Sequence, residues 1–462
     1  MKGFVPTPDH VVDGMVAKLF GACPPEPDAV VLDPGCGTGA FIEGIARWCH
    51  LHGALLPQVL GMDSDSRLLL EAQRRVGHLG SVRLVNEDFL ANRKGQFDYI
   101  VGNPPYVPIT GLSEAERTSY RKRFSMATGR FDLYLLFFEQ ALRLLKPGGR
   151  LVFITPEKFL YVRTAEPLRR ALAQLSIEEL EFLDETTFGE LTTYPMVTTV
   201  LNAPARGVTR IILRKGNTKH IRLTANGSSW LPAITGTTKG FSEHTLGEAC
   251  LRISCGVATG ADAVYVTKTS QIPTNLKRFA FPTVAGREIS IEKGLATSHS
   301  MLVPYARSGE LIGEEQLGEL GLYLSQPDRH RKLLARTCVP RKRWYAFHEN
   351  PPMADLLKPK ILCKDITSRP FFLIEEKGEI VPRHSVYYIV PKDPSIIERL
   401  CDYLNSAVAH AWLTAHCQRA ANGFLRLQSH VLRDMPVPSD VVPTPQLTWH
   451  DEVASKIPAP AS

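Results

Sequence analysis

From Ala29 to Leu201 short apolar runs alternate with longer stretches of helical period, and this alternation limits the possible folds more than any other feature. The runs lie near 29–32, 58–62, 83–86, 97–101, 150–154, 177–183 and 197–201. Short apolar strands separated by helices need cover on both faces, which predicts an α/β unit with a mainly parallel sheet. Open sheets of this kind bind ligands beyond the carboxyl ends of their strands, so those ends are where chemistry is expected.

The first run ends in Asp33-Pro34-Gly35-Cys36-Gly37-Thr38-Gly39. Glycines there let the backbone turn tightly and approach a bound nucleoside closely. Gly35-x-Gly37-x-x-Ala40 also fits a dinucleotide fingerprint, and Asp63, which ends the second run, suits a ribose in either case. At the third end, Asp88 and Phe89 offer a carboxylate and a ring to an adenine; a helix-capping Asp88 over a core Phe89 explains the pair equally well. The fourth run leads into Asn103-Pro104-Pro105-Tyr106. An exocyclic amine on a flat ring is a poor nucleophile because its lone pair is delocalised. Two acceptors gripping its N–H bonds favour a pyramidal, more nucleophilic nitrogen, and the Asn103 side-chain oxygen and the Pro104 carbonyl supply two. Proline fixes φ and brings no competing N–H, so the carbonyl direction is set in advance. Tyr106 adds a face for stacking. The bland alternative is a Pro-Pro turn capping a strand with Tyr106 in the core.

Taken in order, Asp33 to Gly39, Gly61-Met62-Asp63, Glu87-Asp88-Phe89 and Asn103 to Tyr106 resemble S-adenosylmethionine-dependent methyltransferases that modify amines. The stretch Phe4 to Met15 resembles the extra cofactor-binding segment that precedes the glycine loop in gamma-class, TaqI-like adenine-N6 DNA methyltransferases. Asp132 to Phe138, Leu144 to Phe153 and Phe188 to Pro195 continue the likeness over roughly the first 200 residues. The resemblance implies a class I, Rossmann-like methyltransferase sheet followed by a mixed α+β DNA-recognition domain, the two facing each other across a DNA cleft. It assigns Thr7 and Asp33 to the methionine end of S-adenosylmethionine, with Gly35, Gly37 and Gly39 as the cofactor loop. Asp63 falls to the ribose, Asp88 with Phe89 to the adenine, and Phe137 to closing that pocket. Asn103 and Pro104 would hold the target amine, with Pro105 stiffening the turn, while Tyr106 and Tyr194 would sandwich the target ring. Methylation of an RNA base or of a protein glutamine fits the same tetrapeptide, and an inactive DNA-binding specificity subunit is a further alternative. The long second domain and the Phe4 to Met15 segment favour double-stranded DNA.

Composition agrees. At 462 residues, 44% hydrophobic and 22% charged, the chain is ordinary for a globular protein of two or three domains. No signal core and no run of roughly 18 apolar residues is present, so a cytoplasmic protein without a membrane span is expected. Nine cysteines without a Cys-x-x-Cys pair argue against a disulfide framework and a metal site. The net charge of +7 suits a polyanion. Basic residues gather at Arg121 to Arg123, Arg329 to Lys332, Arg341-Lys342-Arg343 before Trp344 and Tyr345, and Lys358 to Lys364. Such clusters beside aromatics can neutralise phosphates or form solvated faces; Arg341, Lys342 and Arg343 are taken as the DNA contact.

After Ala203 the pattern changes to Thr, Gly, Ser and basic residues. The expected organisation is a catalytic domain over 1–205, a connector over 206–245, a recognition domain over 246–440 and a flexible tail over 441–462. The recognition sequence, and whether a separately encoded restriction endonuclease is a partner, are not legible.

Overall fold

The computed structural model describes residues 4–91, 95–189, 194–214, 216–236, 244–292, 294–295, 297–420 and 423–442. The chain divides into two compact units, Met1–Thr237 and Thr238–Ser462.

In the first unit nine strands form one sheet: β1 (Val30–Pro34), β2 (Gln58–Asp63), β3 (Val82–Asn86), β4 (Phe97–Gly102), β5 (Leu145–Pro156), β6 (Leu175–Phe182), β7 (Pro195–Pro204), β8 (Thr209–Ile212) and β9 (Thr218–Ile221). Their order is β3-β2-β1-β4-β5-β7-β6-β8-β9. The β1–β2, β2–β3, β1–β4 and β4–β5 pairs are parallel, and β7 runs antiparallel to both β5 and β6. Alternate side chains leave opposite faces of a strand, and the cores follow. Val31, Val101 and Val152 pack with Val12, Val16, Ile42 and Ile45 from helices α1 (Asp9–Phe20) and α2 (Ala40–Leu51). Their neighbours Leu32, Ile100 and Leu151 pack on the other face, with Leu135, Leu136 and Phe138 from Leu133–Leu144. Both faces are therefore apolar, which is why these strands read as continuous apolar runs. Gly44 brings α1 and α2 together, since a Cβ there would lie 2.4 Å from a Val12 methyl.

The boundary expected at residue 205 is corrected by the structure, because residues 206–236 complete the first unit. β8 pairs with β6, and β9 with β8. Beyond them Trp230 is fully buried, donates its indole N–H to the Thr224 carbonyl at 2.9 Å, and meets Phe159 edge to face. Arg169, also buried, donates to the Gly227, Ser228, Phe159 and Val162 carbonyls. Burial pulls its pKa down to about 10. These strands are short, and the anchors lie far away in sequence, so no periodicity announces them. Of the expected tail over 441–462, residues from 443 onward lie outside the described residues.

The second unit is mixed α+β. An antiparallel sheet of four strands runs Cys250–Cys255, Val386–Pro391, Lys360–Lys364, Phe372–Glu375, and a three-stranded sheet joins Val266–Lys268, His299–Leu302 and Ala280–Thr283. One core gathers Tyr265, Met301, Leu320, Phe347 and Tyr388; another gathers Ile253, Ile361, Leu400, Trp412 and Leu432. Lys360 and Glu375, fully or nearly buried and opposite each other in register, form an ion pair inside the first of these sheets. Buried Arg336 donates to the carbonyls of Leu333, Thr259, Ala346 and Trp344, tying three loops together.

Candidate active site

A cavity of about 460 Å³ opens at the carboxyl ends of β1, β2, β3 and β4. Its walls include Thr7, Gly35, Asp63, Asp88, Phe89 and Phe137, six of the nine cofactor residues expected from sequence, together with Asn103 and Pro105. The volume falls in the ordinary range for small-ligand sites.

The glycine turn is built as its residues require. Gly35, Gly37 and Gly39 all have positive φ, at 92°, 53° and 85°. At Gly37 the reason is also steric: a Cβ would lie 2.4 Å from the Phe4 ring, which closes over the turn. Asp63 pins the loop, accepting the Gly37 N–H at 2.9 Å on one oxygen and the Asp65 N–H at 2.8 Å on the other. Each oxygen keeps a further lone pair for a hydroxyl. Gly37, Gly39 and Asp33 stand behind the wall, while Gly35 lines it.

Asp33 is the most unusual group. It is fully buried at the end of β1, and neither carboxylate oxygen has a hydrogen-bond partner among the described residues. Burial, reinforced by the nearby Asp63 charge, pushes its pKa well above the ordinary carboxylate range. The Cys36 thiol is raised for the same reasons, mainly burial, so this cysteine is a space-filler and no nucleophile.

At the third strand end Phe89 is a core residue, as the bland reading expects, but no helix follows β3 before β4 among the described residues for Asp88 to cap. Asp88 is exposed, accepts the Leu90 N–H at 2.9 Å within a tight turn, and lines the cavity. Phe89 is 3% exposed and packs on Phe137, ring centroids 5.0 Å apart, and both rings face the cavity.

The Asn103 amide donates from Nδ2 to the Val5 carbonyl and to Thr7 Oγ1, each at 3.1 Å. Its oxygen Oδ1 is buried and has no partner among the described residues. Nor does any backbone hydrogen bond among those residues end on the Pro104 carbonyl, whereas the Pro105 carbonyl accepts the Val107 N–H at 3.1 Å. Two acceptors one residue apart are thus left without donors. Tyr106 donates its hydroxyl to the Ile154 carbonyl at 3.3 Å, and burial raises its pKa.

The ring that meets Tyr106 is Phe188, edge to face at 6.4 Å, while Tyr194 lies beneath the Arg214 guanidinium at 5.3 Å. Phe188 was not singled out from sequence, although it opens the stretch Phe188 to Pro195; residues 190–193 of that stretch lie outside the described residues. Phe4 was likewise missed as a lid on the glycine turn. Of the basic triplet, Arg341 and Arg343 are exposed, and Arg343 makes a long pair with Glu314 at 3.8 Å. Lys342 is committed to its own loop, donating to the His348 carbonyl at 3.0 Å and Asn350 at 2.9 Å. Arg123, in another of the basic runs, is held over the Tyr120 and Phe124 rings.

The sheet order, with the glycine turn after β1, is that of a class I S-adenosylmethionine-dependent methyltransferase fold. The type IIL restriction-modification enzyme MmeI, solved in complex with DNA, shares this architecture at a TM-score of 0.64, 12% identity, over 93% of this chain and 64% of that one. Residues 70–188 match the family model of Eco57I restriction-modification methylases, and residues 319–437 that of TaqI-like C-terminal specificity domains. Curated relatives include the type II methyltransferase M.PaeR7I of Pseudomonas aeruginosa, 27% identical over 76% of this chain and 66% of that protein. M.XhoI of Xanthomonas vasicola is 27% identical over 78% and 72% respectively. Modification methylase CviBIII of Paramecium bursaria Chlorella virus NC1A is 32% identical over 41% of this chain and 48% of that protein. The chain thus spans just under two thirds of the length of M.PaeR7I and of MmeI. The resemblance drawn from the motifs extends to both halves of the chain.

Proposed function

We propose that the chain is a DNA adenine-N6 methyltransferase that uses S-adenosylmethionine, acting in a restriction-modification setting beside a separately encoded endonuclease. The observation that carries this reading is the buried, unpartnered Asn103 oxygen beside the unengaged Pro104 carbonyl, at the rim of a cavity with a nucleoside's complement of groups. Asp63 suits ribose hydroxyls, the Phe89 and Phe137 rings with Asp88 suit adenine, and Thr7 with the orphaned Asp33 carboxyl suits the amino acid end. The cofactor supplies an electrophilic methyl group on sulfur.

The chain supplies the rest. Asn103 Oδ1 and the Pro104 carbonyl accept the two N–H bonds of the exocyclic amine, drawing its lone pair out of conjugation and aiming it. As the nitrogen gains positive charge, the same two acceptors stabilise it, and the surplus proton then leaves to water. Asn103 is an acceptor and not a base, so no titrating group is required at this step. Tyr106 holds the ring by its face, with its hydroxyl already spent on Ile154. A base inside a duplex cannot reach such a cavity, so the adenine must leave the stack. The second unit, with its match to specificity domains, would read the flanking sequence.

The test is expression in a methylation-deficient host followed by sequencing that detects modified adenines. A single new N6-methyladenine motif is the expected result. Its absence, or methylation confined to RNA or protein, would refute the reading.

A further inference from the structure

We propose that Thr7 is a positioning residue for Asn103, setting which atom of the amide faces the target amine; the inference rests on the function proposed above. A carboxamide can turn either its oxygen or its NH₂ toward a cavity, and only the oxygen can grip an amine. Here Nδ2 is held from 96 residues away in sequence by Thr7 Oγ1, and by the Val5 carbonyl, both at 3.1 Å. A flipped amide would set its oxygen against the Val5 carbonyl oxygen, two acceptors without a proton between them. The Val5 contact therefore chooses the face, and the Thr7 contact fixes the rotation. Together they use both N–H bonds and leave Oδ1 as the free atom.

The Thr7 hydroxyl accepts from Asn103, so its own proton remains for an acceptor on the cavity side, where Thr7 also forms part of the wall. One side chain thus serves the cofactor cavity and the acceptor that grips the amine. Sequence likeness assigned Thr7 to the cofactor alone, and under that assignment saturating cofactor would abolish the effect of removing the hydroxyl. The geometry requires the opposite: the loss persists at saturation, because the second Asn103 N–H is left buried without a partner.

The experiment compares Thr7→Val, which keeps the shape and removes the acceptor, with Thr7→Ser, which keeps it. Single-turnover methyl transfer is measured at saturating S-adenosylmethionine and saturating DNA of the mapped motif. Thr7→Val is expected to lose about 10- to 100-fold in rate, the usual cost of a misplaced reacting group, with DNA affinity unchanged, and Thr7→Ser to restore it. A second arm needs neither cofactor nor DNA. In protein labelled with ¹⁵N-asparagine, the Asn103 side-chain NH₂ signal, assigned by its loss in Asn103→Asp, should be protected from exchange in the wild type and Thr7→Ser. In Thr7→Val one of the two NH₂ protons, the one released from Thr7, should lose its protection while the proton on the Val5 carbonyl and the other asparagine signals stay in place, which separates the effect from general unfolding. A wild-type rate at saturation, or retained protection of both NH₂ protons in Thr7→Val, overturns the proposal. If the wild type methylates no DNA the functional reading fails, and the exchange arm alone then decides whether Thr7 orients the amide.

Discussion

Asp33→Asn replaces the buried, unpartnered carboxyl with a neutral group of the same shape, and burial fixes the sign of its effect on stability. In the folded chain burial holds Asp33 protonated well above the pH at which an exposed aspartate ionises. In the unfolded chain it ionises near 3.9. Between those two values the folded state binds one more proton than the unfolded state, so stability falls as pH rises, by about 1.4 kcal/mol per pH unit for one group. Asparagine has no such slope. The stability difference between variant and wild type should therefore widen in favour of Asp33→Asn by about 1.4 kcal/mol for each unit of rising pH inside that window. Other groups titrate alike in both proteins and cancel. Urea titration read by hydrogen exchange on β1 peptides confines the measurement to the first unit. A cationic amine docked against Asp33 removes the penalty by ionising it, so S-adenosylmethionine binding should release a proton in the wild type and none in Asp33→Asn. Calorimetry in two buffers of different ionisation enthalpy reads that proton. Parallel pH–stability curves for the two proteins would refute the buried, protonated carboxyl, and equal proton release would remove Asp33 from the cofactor's amino acid end.

Asn103→Ala should lower turnover by roughly 100-fold or more with cofactor affinity intact, and Tyr106→Ala should cost more than Tyr106→Phe, as measured by single-turnover methylation. Trp230→Ala should destabilise the first unit by about 3–5 kcal/mol, and a fragment ending at residue 205 should fail to fold where one ending at 237 folds, as read by circular dichroism melting. Arg341→Ala should flatten the salt dependence of DNA binding by about one unit of slope without changing stability. Lys342→Ala should lower the melting temperature, because its ammonium closes the loop to residues 348 and 350.

What could be read from sequence was whatever local pattern encodes. The strands at 58–63 and 97–102 are mostly apolar because the sheet buries both faces, so their pattern was visible. The site residues were visible because they stand at strand ends, where Gly, Asp and Asn-Pro-Pro have few other reasons to cluster. The strands at 209–212 and 218–221 were not, being four residues each, with Thr and Arg in the first and Thr, Lys and His in the second. Arg169 drew no reading from sequence and Lys342 was taken as a DNA contact, since nothing local says that a cation's partners are main-chain carbonyls. Phe4 and Phe188 gain their roles from contacts with Gly37 and Tyr106, far along the chain, and an isolated aromatic gives no hint of such a partner.

Arg169 and Arg336 fasten their loops by main-chain oxygens, and a carbonyl looks the same whatever residue carries it. The lettering of the fastened segments is thus decoupled from their shape. Around Arg169, residues 224–229 could be rewritten or grafted from another protein while the clamp persisted. Gly227 is the exception, because its φ of +83° and a Cβ only 2.7 Å from Arg170 leave no room for a substitute. Around Arg336 the same kind of clamp carries no such licence, because Thr259, Tyr345 and Ala346 are buried and their side chains are held by packing. A library randomised at the exposed positions 224–226 and 228 would vary the surface of the first unit while the clamp, which grips only main-chain oxygens, holds its shape.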